Sequence, residues 1–110
     1  MARIKRAPEE CVRAGMAFLD KKIPGWLNMI VLKRLKMTDC YYCILGQLFG
    51  QFALGKFSLE LSDRREAELG LNAYRSELNG RDDEHWHKVI SCWPKMIKER
   101  RRKEKGRILT

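Results

Sequence analysis

The sequence predicts a small all-α protein, a compact bundle of about five helices including short ones. Three observations carry this. Apolar residues recur at helical spacing, as Val12, Met16, Leu19 and Ile23, and again as Trp86, Val89, Ile90, Trp93 and Ile97. Start and stop signals punctuate the chain at Pro8-Glu9-Glu10, Pro24-Gly25, Ser62-Asp63 and Asn79-Gly80. Strand-like alternation is confined to Phe57-Ser58-Leu59-Glu60-Leu61, a hairpin alternative without an obvious partner. At 110 residues the chain fits one domain.

The first helix starts at Pro8, with Glu9 and Glu10 at its positive end and Lys21 and Lys22 at its negative end. Pro24-Gly25 breaks it. Trp26, Met29 and Ile30 suggest one short turn, and Val31 to Met37 is ambiguous. Thr38 or Asp39 is a good N-cap for a central buried helix over 39–54, closed by Gly55. That helix is expected to pack on helix 9–22 and on the tryptophan face of the C-terminal stretch. Ser62-Asp63-Arg64-Arg65-Glu66 resembles a capping box, and its helix ends at Gly70. Asp82-Asp83-Glu84 opens the last helical stretch. Pro94 interrupts it, and a restart capped by Ser91 is preferred to a kink because proline costs least in a first turn.

The net charge of +9 is terminal. Residues 1–7 form a basic arm with Arg3, Lys5 and Arg6, residues 8–98 the globular domain, and residues 99–110 a basic helix end or tail. Residues 7–94 carry equal numbers of acids and bases. Arg100, Arg101, Arg102, Lys103 and Lys105 are candidate contacts to nucleic acid or another polyanion. The competing reading is a solvated helix end that suits the macrodipole. The tail has few aromatics to stack bases.

Cys40 and Cys43 have zinc-knuckle spacing, and a zinc site would need two of His85, His87 and Cys92 as well. Bulky neighbours and missing turn glycines favour small buried cysteines, with no metal and no cofactor. A redox role lacks the βαβ context. Gly46, Gly50 and Ala53 place a small-residue stripe on the expected central helix, for close packing of a helix or a subunit. Gln47 and Gln51 form a polar pair beside it, a ligand contact or a hydrogen-bonded face. Tyr41, Tyr42, Trp86 and Trp93 are candidate partner-binding aromatics. No P-loop, Rossmann glycine pattern or nucleophile motif is present, so no enzyme activity is expected. No apolar run is long enough to span a membrane, and no apolar region follows the basic N-terminus as in a signal peptide. A cytoplasmic location with reduced thiols is expected.

Residues Gly15 to Gly55 resemble a family of small proteins of actinobacteria and their bacteriophages. The matching residues are Pro24-Gly25-Trp26, Cys40, Cys43 and Leu45-Gly46-Gln47-Leu48-Phe49-Gly50, and Leu69-Gly70-Leu71-Asn72-Ala73 is similar too. The basic tail departs from the more acidic relatives. The family brings no activity or functional residues to carry over; the resemblance implies a phage or mobile-element origin and no more, and an accessory protein inside a bacterial host is the natural class for that origin. The expected function is binding and inhibition of a host protein or ribonucleoprotein, for example a defence component. Two alternatives stand beside it: nucleic-acid binding through the basic C-terminal segment, and a homo-oligomer that sequesters a small anionic nucleotide.

Overall fold

The computed structural model describes residues 7–71 and 83–109, with side chains through Lys105. Residues 1–6 of the basic arm, the Asn79-Gly80 turn and Asp82 lie outside the described residues. The described chain is all-α, without a strand.

Helix α1 (Pro8–Lys22) has its proline at the start and its charges as the macrodipole favours. Cys11, Val12, Met16 and Leu19 form its buried stripe. Helix α2 (Trp26–Met29) is a single turn that buries Trp26 and Leu27, and a 3-10 turn follows at Leu32–Arg34. Two short helices come next, α3 (Ile44–Phe49) and α4 (Phe52–Ser58), and then α5 (Asp63–Glu68). Ser62 caps α5, its hydroxyl accepting from Arg65 N–H at 3.0 Å. Helix α6 (Asp83–Leu109) closes the described chain.

The main helix pair is α1 against α6, and α3 packs on α4. Trp86, Val89, Trp93 and Ile97 of α6 meet the α1 stripe in the core, joined by Trp26, Ile44, Leu45, Leu69 and Leu71. Trp93 donates to Gly70 O at 2.7 Å, and its ring meets Trp26 edge-on at 87° with centroids 6.3 Å apart.

Two expectations are corrected. Pro94 sits inside a continuous α6, so no restart occurs. A proline in a helix interior costs about 3 kcal/mol. Burial of a large apolar side chain returns about 1.5–3 kcal/mol. Unbroken geometry keeps Trp86, Val89, Trp93 and Ile97 on one buried stripe, which outweighs the lost bond. Ser91 does not cap a new helix; its hydroxyl donates back to His87 O at 3.0 Å.

The expected central helix 39–54 is two helices behind a turn. Asp39 organises the turn rather than the helix, its carboxylate accepting from Tyr41 N–H at 2.7 Å and Tyr42 N–H at 3.1 Å. The Cys43 sulfur caps α3 by accepting from Gly46 N–H at 3.3 Å. Gly50, at φ +93°, ends α3 in the left-handed region, and Phe52 N–H then bonds Cys40 O at 2.7 Å. Gly55 is not a C-cap. It is buried in α4, where a Cβ would stand 2.9 Å from Leu45 Cβ and 2.8 Å from the Phe49 ring, so it lets α4 approach α3.

Candidate binding surfaces

The polybasic run divides once it is folded. Arg100 turns inward and forks onto Asp20 of α1, with Nη1 to Oδ2 and Nη2 to Oδ1 both at 2.9 Å, while Nε donates to Glu104 at 3.0 Å. Asp20 also accepts from Trp26 Nε1 at 2.8 Å, so one carboxylate ties α1, α2 and α6 together. Arg101 donates to Leu27 O at 2.6 Å and Ile30 O at 2.5 Å, capping carbonyls around the end of α2. These two arginines hold the fold. Arg102, Lys103 and Lys105 remain exposed. So do Lys95 and Lys98, which the run-based reading did not single out. Plotting them at 100° per residue is the signal that brings them in.

Trp86 and Trp93 are 4% and 0% exposed, so neither presents a surface to a partner. Tyr41 and Tyr42 do, at 56% and 44%. Gln47 of α3 ties Val31, itself exposed, to the tyrosine turn, and Met29 is exposed two residues before it. The Gln47 amide oxygen accepts from Val31 N–H at 2.7 Å, and its nitrogen donates to Val31 O at 3.2 Å and Tyr42 O at 3.1 Å. Lys36 N–H adds a bond to Tyr42 O at 3.0 Å. Gln47 is thus the hydrogen-bonded residue of the Gln47/Gln51 pair; Gln51 stands before α4 with no side-chain cap bond. Leu54 and Phe57, spaced i, i+3 on α4, are also exposed, Phe57 at 83%. Sequence reasoning missed Met29, Val31, Leu54 and Phe57, since helical spacing alone does not say which apolar face lacks a neighbour.

The expected small-residue stripe is dispersed. Gly46 is buried where a Cβ would meet Cys40 O at 2.5 Å, so the close approach is to the chain's own turn. Gly50 faces open space, and Ala53 is exposed on the next helix.

The cysteines divide likewise. Cys40 and Cys43 belong to the turn before α3, while His85, His87 and Cys92 are on α6. Among the described residues, no three His, Cys, Asp or Glu side chains converge to hold a metal. Burial pushes the Cys43 thiol up to about 11 against the opposing help of Gly46 N–H, so at neutral pH it is a protonated helix cap. Burial also raises Cys92, with Glu9 adding to the effect. Cys92 lines an open groove of about 450 Å³ between the start of α1 and α6, where Glu9 and Glu10 face Arg13, Lys88 and Lys95. These mixed charges do not converge on one ligand charge. Among the described residues no helix is long and apolar enough to cross a membrane.

No family model, curated protein or solved structure matches the chain.

Proposed function

We propose that the protein is a non-enzymatic binding factor that docks on a partner protein through the surface formed by residues 29–57. One observation carries this: the six large hydrophobic side chains most exposed among the described residues, Met29, Val31, Tyr41, Tyr42, Leu54 and Phe57, all fall in this segment. Large apolar side chains left exposed are a common mark of an interaction site. The tyrosines stand on a turn fixed by Asp39 and Gln47, so little ordering entropy opposes binding. Lys33, Arg34 and Lys36 of the same segment are exposed, which favours an acidic rim on the partner. The resemblance of residues 15–55 to actinobacterial and bacteriophage proteins supports a phage or mobile-element origin alone; for such an origin the natural class is an accessory factor that binds and inhibits a host protein or ribonucleoprotein.

The test uses the full chain as bait in lysate of a bacterial host, with recovered proteins then purified and titrated directly. The wild type is expected to bind one partner as a monomer. Tyr41→Ala with Phe57→Ser should weaken that binding at least tenfold while circular dichroism is unchanged. Equal affinity for the variant would overturn the reading, as would self-association of the purified wild type that the same substitutions abolish.

A further inference from the structure

We infer that the outward face of α6 between Lys95 and Lys105 is a binding site for the sugar-phosphate backbone of duplex nucleic acid, without readout of sequence. The inference stands independently of the protein-docking surface.

Lys95, Lys98, Arg102 and Lys105 are all exposed. At 100° per residue they fall within an arc of about 80° and span about 15 Å of helix axis. Trp93 and Ile97 point the opposite way and are fully buried, so the ridge is anchored from behind. Arg100 and Arg101 lock the same stretch to Asp20, Leu27 and Ile30. Among the described residues none of the four ridge cations forms an ion pair. Glu84 takes up Lys88 at 3.1 Å, and Glu104 is taken up by Arg100. Glu99 is the single exposed acid among residues 95–105, and Glu9 and Glu10 of α1 share only the Lys95 end of the ridge through the groove.

The helix dipole does not account for this ridge. It acts within the last turn. Lys95 and Lys98 lie three turns or more before Leu109, where α6 ends. A small anion does not fit either, because the four side chains are strung along a line and do not converge on a point. A straight, rigid row of positive charge matches a straight, rigid polyanion, and duplex DNA carries one charge per about 1.7 Å of axis. The ridge has no aromatic side chain to stack an unpaired base, which disfavours single strands. It also lacks the paired amides that read base edges, so contact is with phosphate alone.

The experiment is fluorescence anisotropy of the full chain with a labelled mixed-sequence 20-base-pair DNA duplex, and with the RNA duplex and the DNA single strand of the same sequence. With four phosphate contacts, affinity should fall on the order of 100-fold between 50 and 200 mM salt, at a log–log slope of about −3.6. Both duplexes should bind alike, and better than the single strand. Replacing Lys95, Lys98, Arg102 and Lys105 together by Gln should abolish most of the binding and flatten the slope. Lys33→Gln, Arg34→Gln and Lys36→Gln together should leave it in place. Equal loss in that control, unchanged binding by the ridge variant, or equal affinity for polyglutamate of matched charge would each overturn the site. Because all four residues are exposed, circular dichroism should be the same for both variants; should the ridge variant unfold, Arg102→Glu alone is the substitute and must still weaken binding tenfold.

Discussion

The α1–α6 pair and the segment from Trp26 to Ser58 use similar residues to opposite ends. In the pair, tryptophans are buried, and two arginines of a basic run are consumed in holding helices together. In the segment, short helices are joined by turns and tyrosines face solvent. Length explains much of the difference. A 15-residue and a 27-residue helix can each bury a continuous stripe along the other. Helices of four to seven residues fully bury at most two side chains each, and α4 buries only its glycine, Gly55. The pair is therefore the scaffold, and the segment carries a surface that the scaffold does not cover.

The largest break in the scaffold should come from Gly15→Ala. A Cβ there would lie 2.2 Å from Leu69 O and 3.1 Å from the Trp93 ring, and a backbone carbonyl gives way less easily than a side chain. Overpacking of this kind costs about 3 kcal/mol, more than the ~1 kcal/mol of helix propensity that alanine adds. Urea unfolding should show a net loss of about 2 kcal/mol or more. Gly50→Ala, in the segment, meets open space and bears only the left-handed backbone penalty of about 1–2 kcal/mol. If Gly50→Ala proved the more damaging, the assignment of scaffold and surface would be reversed.

Arg101→Met tests the joint between the two regions. It keeps an unbranched apolar stem and removes the donors to Leu27 O and Ile30 O, at a cost of about 2 kcal/mol for bonds from a charged group. Hydrogen exchange should rise around residues 26–31 while amides in the middle of α1 stay protected. Uniform acceleration would mean that the segment does not open separately from the pair.

The long amphipathic elements were legible in the sequence because their periodicity repeats over several turns. The α1 boundaries, the Trp26 turn and the Ser62 cap appear where expected. Between Asp39 and Leu54 the apolar residues have helical spacing as well, yet the chain turns twice. Those turns depend on local contacts that apolar spacing does not encode: the Cys43 sulfur accepts from Gly46 N–H, and Gly46 leaves room for the Cys40 carbonyl. The same limit applied to the binding surfaces. Arg100 and Arg102 look alike in a polybasic run, and only the position of Asp20, 80 residues away, separates a structural arginine from an exposed one. Trp86 and Trp93 were plausible anchors by residue type; the close pairing of α1 with α6 makes them core.

The smallest expected effect concerns the Asp20 joint and its pH dependence. Burial works to raise the Asp20 carboxyl, but the hydrogen bonds from Arg100 and Trp26, with the Arg100 charge, outweigh it and hold it below the ordinary 3.8. A depressed carboxyl contributes stability that is present above the unfolded value and is lost as pH falls through the lower folded value. Both partners are about a third exposed, so solvent screening limits the contribution to roughly 0.5–1 kcal/mol. Asp20→Asn should be less stable than wild type by that amount at pH 7, and the difference should shrink toward zero below about pH 4. The raw pH profile cannot show this, because Glu66 works against it. Burial lifts the Glu66 carboxyl despite Lys56 nearby, so its contribution is lost as pH rises through its folded value. Subtracting the Asp20→Asn curve from the wild-type curve removes Glu66 from both. A difference that stayed constant from pH 7 to pH 3 would show that the Asp20 charge does not join the helices, leaving Arg101 as the main polar tie between α6 and the segment.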